Sequence, residues 1–277
     1  MSYVKKGILV ATKHQKEQVI GPIFKKYLGC ETFVTEFDTD KLGTFTGEIP
    51  RLKDAMSICK DKAVMAAQLT GHPYALASEG SFGPHPIMPF LPYAQEWMVF
   101  VDLESDITIF EEIKTSETNY QTKWIDVDSD INDFLNQVKF PSHGLCLQTS
   151  CLKTVIAKGI QSHQQLQEAL KNGFELDTRL LLSTDMRAMM NPSRMNVIEK
   201  LSEQLVLRIK SLCPQCQSPG FGRAGVAGHL ACQQCHMPSE FPALEVWACV
   251  QCDYQENRPR KDGKVNIDPQ YCQFCNP

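Results

Sequence analysis

Cys213-Pro-Gln-Cys216 opens the stretch that decides the organisation of this chain, because eight cysteines between residues 213 and 275 fall as four CxxC pairs. Each CxxC turn presents two sulfurs, and two facing turns complete the closed tetrahedron of thiolates that a structural zinc ion prefers. The spacing therefore predicts two structural zinc sites. Their ligands are Cys213, Cys216, Cys232, Cys235, Cys249, Cys252, Cys272 and Cys275.

The linear spacing admits two ways of sharing these cysteines between two ions. The first two pairs are separated by fifteen residues and the last two by nineteen, and both separations match four-thiolate zinc ribbons. We predict sequential pairing, in which the first pair joins the second and the third joins the fourth. A cross-braced arrangement stays open, because spacing alone does not decide between the two. In either arrangement the sites are closed, and closed sites do not catalyse.

The composition of the chain changes near residue 210, because the remaining four cysteines are scattered over the first 151 residues. We predict an α/β domain over residues 1–210, ending in a long helix, and a double zinc-ribbon domain over residues 211–277. Zinc ribbons bind nucleic acid, bind protein, or staple a segment that is too small to build its own core. Arg258, Arg260 and Lys261 form the basic cluster of this region, and a solvated loop is its simplest interpretation.

The overall composition is typical of a folded soluble protein, with 43% hydrophobic residues, 22% charged residues and a net charge of −4. A mildly acidic chain has no overall field that attracts nucleic acid, so such binding needs a local patch. No stretch of eighteen apolar residues occurs, and the apolar stretch 7–11 is too short for a secretory signal. We predict a cytoplasmic protein without membrane contact, whose paired cysteines hold metal in a reducing compartment.

Upstream of residue 210, short apolar stretches alternate with amphipathic ones, which is typical of α/β architecture. Gly29 and Gly71 are predicted to close the first two helices, and Asn191 with Pro192 to begin the last one. The predicted strands are 7–11, 32–37, 74–77, 97–103, 107–113 and 144–148, and the predicted helices are 19–28, 52–69, 128–138, 161–171 and 195–212.

The segment Ser78-Glu79-Gly80-Ser81-Phe82-Gly83 follows the predicted strand 74–77 directly. Its glycines and the prolines after it favour a loop, and loops at strand ends often carry functional sites. A carboxylate flanked by serine and glycine after an apolar strand has little helical or packing reason to be there. Glu79 is therefore a candidate functional residue.

Several common catalytic motifs are absent from the sequence. It contains no Walker A GxxxxGK[ST], no GxSxG and no HExxH, and the turn directly after the first predicted strand has no GxGxxG. P-loop ATPases, Rossmann dehydrogenases, serine hydrolases of the GxSxG type and zincins are therefore disfavoured.

Several short motifs occur in a fixed order along the chain. They are Ile8-Leu9-Val10-Ala11-Thr12-Lys13-His14, Gly47-Glu48, Lys62-Ala63, Thr70-Gly71-His72-Pro73, Ser78-Glu79-Gly80, Thr184-Asp185-Met186-Arg187, Asn191-Pro192-Ser193-Arg194 and Cys272-Gln-Phe-Cys275. The order of those within residues 7–100 resembles the inosine triphosphate pyrophosphatase-like superfamily, and residues 184–195 resemble its base-recognition region more faintly. The chain as a whole also resembles an uncharacterised bacterial family of unknown function that joins such a region to a cysteine-rich tail.

This resemblance implies an α/β fold in which a mixed-sheet pyrophosphatase-like domain precedes the small cysteine-rich zinc-ribbon region. It also implies magnesium-dependent hydrolysis of a nucleoside triphosphate to a monophosphate and pyrophosphate. Glu79 would hold the magnesium ion, with Glu48 as a second carboxylate, and Lys62 would neutralise phosphate charge in the transition state. Lys13 and Lys16 would bind the triphosphate, and Arg187 and Arg194 would contact the base or a phosphate.

The chain departs from the superfamily at two positions. It has His14 or a neighbouring residue where an asparagine is common, and it has Ser78-Glu79 where two adjacent carboxylates are frequent. Solvated helix-start lysines and a surface Glu48 are the simpler interpretations of the predicted ligands. The alternative function is a non-catalytic module with structural zinc that binds a nucleotide, nucleic acid or protein.

Overall fold

The computed structural model describes residues 3–35, 53–150 and 154–277. These residues divide into two compact units, one over 3–206 and the other over 207–277. In the part of the chain that is described, no helix has the length and apolarity needed to cross a bilayer. The described residues of the larger unit form two sheets, and the smaller unit contains all four CxxC pairs.

The first sheet of the larger unit has five strands in the order β2-β1-β3-β4-β5. The strand β1 runs parallel to both β2 and β3, whereas β3, β4 and β5 are antiparallel neighbours. The sheet is therefore mixed, which confirms the predicted mixed α/β class. The strands are β1 (Gly7–Val10), β2 (Glu31–Phe33), β3 (Tyr74–Pro84), β4 (Pro92–Asp102) and β5 (Ile107–Thr115).

Two helices connect the parallel strands, α1 (Glu17–Leu28) and α2 (Ala55–Thr70). Each ends at the predicted glycine, Gly29 or Gly71, with φ near 65°, because glycine adopts the left-handed conformation without a Cβ clash. The helix α2 packs its alanines against the alanines of β3, and such small side chains let helix and sheet approach closely. Residue 52, the predicted start of the second helix, lies outside the described residues.

The strand β3 corrects the loop predicted for residues 78–86, because the strand continues to Pro84. Gly80 does not have the positive φ angle that a glycine often provides in a loop. Its missing Cβ instead lets other side chains come close to the backbone of β3. A Cβ at Gly80 would lie 2.8 Å from Arg194 Nη2 and closer still to the carboxylate of Glu96. The glycine therefore makes room for charged side chains beside the strand.

The second sheet of the larger unit has four antiparallel strands in the order β6-β9-β7-β8. Its core is built from leucines of β7 and β9 that alternate towards the helices α3 (Asn132–Gln137) and α4 (His163–Leu176). The sequence predicted one of these strands and missed three. The strands are β6 (Thr122–Ile125), β7 (Leu145–Thr149), β8 (Val155–Ile160) and β9 (Leu180–Thr184).

The helix α5 (Pro192–Lys210) is the longest in the described structure and begins as predicted. Asn191 Oδ1 accepts a hydrogen bond from the backbone N–H of Arg194 at 3.0 Å, which is the N-cap interaction. Ile198, Leu201 and Leu205 are fully buried along one face of the helix. The apolar spacing and the cap thus fix the position of Arg194 in the first turn.

The smaller unit contains two short sheets. Three antiparallel strands form one of them, β10 (Gly222–Ala227), β12 (Leu244–Ala248) and β13 (Gln255–Pro259). The parallel pair β11 (Ala231–Cys232) and β14 (Asn266–Ile267) forms the other. The buried apolar cluster of this unit holds few residues, and cysteines are among them.

Candidate functional site

The eight paired cysteines form two groups of four in space, and the groups are interleaved along the chain. In each group all four Sγ atoms lie within 4.8 Å of one another. Sequential pairing was therefore wrong, and the cross-braced arrangement is observed. The first tetrad is Cys213, Cys216, Cys249 and Cys252, and the second tetrad is Cys232, Cys235, Cys272 and Cys275.

Strand pairing explains the interleaving. Gly222 at the start of β10 pairs with Ala248 at the end of β12, so the antiparallel sheet carries Cys249 back towards the first CxxC turn. Cys232 lies in β11, which pairs with Ile267 of β14 and so meets the last CxxC turn. The partners of each turn are set by these registers and not by distance along the chain.

The sulfur spacing fits tetrahedral zinc. Four sulfurs at about 2.3 Å from one ion lie about 3.8 Å from each other in a tetrahedron. The Sγ–Sγ distances are 3.8 Å and 3.6 Å in the first tetrad and 3.9 Å and 3.6 Å in the second. Disulfide sulfurs are about 2.05 Å apart, so these cysteines are free thiols. Both tetrads can hold zinc.

Each CxxC pair lies in a tight turn, which we call a knuckle, and three of the four knuckles share the same backbone hydrogen bond. The N–H groups of Cys213, Cys232 and Cys249 each donate to the carbonyl five residues later at 2.9 Å. Gln217 and His236, directly after the second cysteine of their knuckles, have left-handed φ angles of 59° and 58°. These turns set the relative position of the two sulfurs of each pair in the folded unit.

A separate group of buried charges lies at the carboxyl end of β1 in the larger unit. The strands β2 and β3 flank β1 on opposite sides, and such a reversal of direction leaves a crevice outside the carboxyl ends of parallel strands. Lys16 precedes α1 at this end, and Ser78 lies two residues beyond Leu76, the last partner of β1. The topology therefore places polar residues where α/β proteins bind ligands.

Lys16 is nearly fully buried at this end of the sheet. Its Nζ donates to the carbonyl oxygen of Ser78 at 2.7 Å and to Ser78 Oγ at 2.9 Å. It also lies 3.8 Å from Glu96 Oε1. Burial first, and then the charge of Arg194, lower the pKa of Lys16 to about 8. At neutral pH this amine is still a cation.

Arg194 and Glu96 form a buried bidentate ion pair. Arg194 Nε donates to Glu96 Oε2 at 3.0 Å, and Nη2 donates to Oε1 at 2.9 Å. Nη1 of Arg194 donates to the carbonyl oxygen of Met186, and the guanidinium lies 5.0 Å from the ring centre of Phe82. Most of its donors are thus used within the protein, so Arg194 mainly holds Glu96 in place.

Lys62 and Glu79 form a second buried pair, with Nζ donating to Oε2 at 2.7 Å. Glu79 pairs in register with Trp97, and Gly80 pairs with Glu96. Because neighbouring strand residues face opposite sides, Glu79 and Glu96 project from opposite faces of the sheet. Lys62 of α2 meets Glu79 on one face, and Arg194 meets Glu96 on the other.

We call these five residues, Lys16, Lys62, Glu79, Glu96 and Arg194, the charge cluster. Every member is at least 92% buried, and the cluster has one more cation than anion. Beside it, burial and then the positive charges of Lys16, Arg194, Arg187 and Lys62 lower the pKa of His14 to about 3. The local potential is therefore positive.

The structure brings together four of the seven predicted active-site residues, Lys16, Lys62, Glu79 and Arg194. Arg187 is half-buried and its guanidinium forms a bidentate pair with the buried Asp185. Lys13 is exposed, and Glu48 lies outside the described residues.

Sequence reasoning missed Glu96. The feature that could have identified Glu96 is the alternation of residues along β4. Ala94, Glu96 and Met98 lie on the buried side of the strand, and the residues between them are partly exposed. A carboxylate in the buried phase of a strand needs a charged partner.

The described residues do not fit a resident magnesium ion. Among them, the groups of three or more cysteine, histidine or carboxylate side chains able to hold a metal are the two tetrads. Glu96 is held by Arg194 and Glu79 by Lys62. We therefore derive no chemical step through protein-bound magnesium.

Comparison with known families gives one match. A family model described as a domain of unknown function, DUF6671, matches residues 62–277. No curated protein sequence matches the chain.

Proposed function

The chain belongs to the DUF6671 family of unknown function, and we propose that its larger unit binds the phosphate groups of a nucleotide at the charge cluster. The observation that carries this proposal is the surplus positive charge buried at the carboxyl end of β1. A buried charge is costly unless an opposite charge pairs with it. An anionic ligand would complete the cluster.

Each cation of the cluster has a distinct part in this proposal. Lys16 is the surplus cation, and its ammonium would turn towards a phosphate from the oxygens of Ser78. Arg187 borders the same region and its guanidinium plane is fixed by Asp185. Arg194 is a positioning residue, because its guanidinium already holds Glu96. We interpret the motif order of residues 7–100 as similar to inosine triphosphate pyrophosphatases, and on that interpretation a nucleoside triphosphate is the first ligand to test.

Hydrolysis of that triphosphate is the second candidate function, and the Lys62–Glu79 pair favours it. Glu79 Oε2 is a buried carboxylate oxygen that accepts from Lys62, so a bound phosphate that competes for Lys62 would make Oε2 able to accept a proton from water. That water would attack the α-phosphorus, the bond to the β-phosphate oxygen would break, and pyrophosphate would leave. Any magnesium would enter with the nucleotide as part of the substrate.

For the smaller unit we propose structural zinc and contacts to protein. Between residues 207 and 277 the chain has seven Lys and Arg and six Asp and Glu. Each zinc ion with four thiolates adds two negative charges, so the loaded unit is net negative. Arg223, Arg258 and Arg260 are each paired with a nearby carboxylate. This balance favours protein over nucleic acid as the partner.

Calorimetric titration of the zinc-loaded chain with canonical and deaminated nucleoside triphosphates tests the binding proposal. We expect Lys16→Gln to weaken binding about 10- to 100-fold, the value of one charge-assisted hydrogen bond. Lys60→Gln is the matched control, since Lys60 is an exposed residue of α2 close to Lys62. Equal affinity in wild type and Lys16→Gln would contradict the proposal.

Pyrophosphate release with the same panel and magnesium tests the hydrolytic candidate. Glu79→Gln removes the proton acceptor, so we expect release to fall by about 100-fold or more while nucleotide binding persists. Unchanged release in Glu79→Gln would exclude Glu79 as the base. Binding without release in the wild type would leave the larger unit as a nucleotide-binding module.

A further inference from the structure

His143 lies outside the charge cluster and is held between two serines. It is 96% buried and follows Ser142 in the turn before β7. His143 Nδ1 lies 3.0 Å from Ser142 Oγ, and Nε2 lies 2.9 Å from Ser193 Oγ. A hydroxyl, an imidazole and a second hydroxyl therefore form a continuous line of hydrogen bonds.

Counting donors fixes the tautomer of His143. Ser142 Oγ donates its single hydrogen to the carbonyl oxygen of Lys139 at 2.6 Å, so towards the imidazole it can only accept. Nδ1 therefore carries the proton. Nε2 is left as an acceptor, and it also receives the backbone N–H of Ser193 at 3.3 Å. The basic nitrogen of the imidazole faces the hydroxyl of Ser193.

The state of the imidazole suits a proton acceptor. Burial, followed by the charge of Lys139, lowers the pKa of His143, so the ring is neutral at physiological pH. A serine hydroxyl within hydrogen-bond reach of a neutral imidazole, which a third group orients in turn, is the arrangement of an activated nucleophile.

Ser193 also borders a cleft of about 330 Å³ that can admit a small molecule. Polar side chains line this cleft, including Lys139, Lys200 and Glu117. Ser193 lies in the first turn of α5, whose dipole favours negative charge developing at that end. The two lysines and the dipole favour an anionic ligand in the cleft.

We propose that Ser193 is a nucleophile activated by His143, in a site for small carboxylic esters that carry a negative group. Ser193 Oγ attacks the ester carbonyl carbon while its proton passes to His143 Nε2. The alcohol leaves with that proton, which forms an acyl-serine. A water molecule, deprotonated by the same nitrogen, then releases the acid and restores Ser193. The cycle consumes one ester and one water and yields one acid and one alcohol.

A fluorophosphonate, which phosphonylates activated serines, tests the nucleophile on the full zinc-loaded chain. We expect modification at Ser193, located by peptide mass spectrometry in the wild type. His143→Gln keeps a hydrogen-bond acceptor but lacks the base, so labelling should be about 100-fold slower or more. Ser116→Ala is the matched control, because Ser116 is exposed and distant in sequence from His143 and Ser193. In this variant Ser193 should be modified as fast as in the wild type. No modification at Ser193 in the folded wild type would overturn the proposal.

Hydrolysis of two esters tests the ligand class. 4-Nitrophenyl hemisuccinate carries a terminal carboxylate that 4-nitrophenyl acetate lacks, and we expect a kcat/KM at least about tenfold higher for the hemisuccinate. Ser193→Ala should abolish turnover of both esters while zinc content and circular dichroism stay unchanged. Turnover that persists in a folded Ser193→Ala protein would overturn the proposal, as would a preference for the uncharged acetate. The mapped labelling of the wild type decides the nucleophile even where a variant fails to fold.

Discussion

The tetrads and the charge cluster both bring like charges close together, but the charges have opposite signs. Each tetrad gathers four thiols that can bind a cation, whereas the charge cluster gathers more cations than anions, which is the basis of the proposed anionic ligand. The tetrads lie in a unit with a small apolar core, so we expect a zinc ion bound at each tetrad to carry much of the folding free energy. The charge cluster lies in a unit with extensive cores and internal ion pairs. We therefore expect the first kind of site to unfold without its ion and the second to persist.

Zinc removal should give the largest effect and tests the comparison directly. Structural zinc contributes about 10–16 kcal/mol in small zinc domains, so complete chelation should unfold residues 207–277 and leave 3–206 folded. Limited proteolysis with circular dichroism measures this, and added zinc should restore the protected fragment. A spectrum and a protease pattern that do not change after complete metal removal would contradict structural zinc.

Breaking the ion pair within the charge cluster should give the next largest effect. Arg194→Met leaves Glu96 buried without its bidentate partner, and such losses cost about 3–5 kcal/mol of unfolding free energy. The double variant Glu96→Met with Arg194→Met should lose less than the sum of the two single variants. Urea unfolding measures all three. Lys114→Met breaks an exposed pair with Glu112 and should cost less than about 1 kcal/mol.

Equal losses for Arg194→Met and Lys114→Met would show that the cluster is solvated in solution and that its charges are not a buried surplus. That result would also remove the argument for an anionic ligand.

Raising the pH should change the stability of the larger unit and its proposed affinity for a triphosphate in opposite directions. The pKa of Lys16 is lowered from 10.5 to about 8, so the folded chain loses this proton before the unfolded chain does. Stability without ligand should therefore rise with pH between about 8 and 10.5. Affinity for a triphosphate should fall over the same range, because the cation is lost. Titrations at pH 7 and 9 check this. Lys16→Arg keeps its charge and should show a flatter profile.

Substitutions at residues with left-handed φ angles in the smaller unit should have the smallest effect on the unfolding free energy. His236 has a left-handed φ of 58°, a conformation that glycine adopts without a Cβ clash. His236→Gly should raise the unfolding free energy of the zinc-loaded chain by up to about 1 kcal/mol, as measured by chemical denaturation. The reverse change at Gly228, whose φ is 65°, to alanine should destabilise it. A loss of stability in His236→Gly would show that the histidine side chain contributes more than the backbone strain costs.

The two kinds of site also differ in how far the sequence predicts them. A CxxC turn is local, so the eight ligands could be identified from spacing alone. Their partners depend on the register of β10 with β12 and of β11 with β14, and the spacing does not contain that information. Asn191 and Pro192 predicted the start of α5 because a helix cap is also local.

The charge cluster joins residues that are distant in sequence. Lys62 and Glu79 are 17 positions apart, and Glu96 and Arg194 are 98 apart. Glu79 stood out in the sequence because the flanking serine and glycine suggested a loop, whereas the structure places it in a buried strand and pairs it with Lys62. Glu96 required the phase of β4, whose first half was not predicted as a strand. Gly80 suggested a loop, although its physical role is to admit the side chains of Glu96 and Arg194.

The interleaving of the tetrads has a consequence for how this unit can be inherited. The segment that holds all ligands of the first tetrad, 213–252, also contains two ligands of the second, and the segment 232–275 contains two of the first. No contiguous piece of the chain therefore encodes one complete site alone. A duplication, deletion or exchange that transfers one zinc site to another protein also splits its companion. The two sites are a single heritable module.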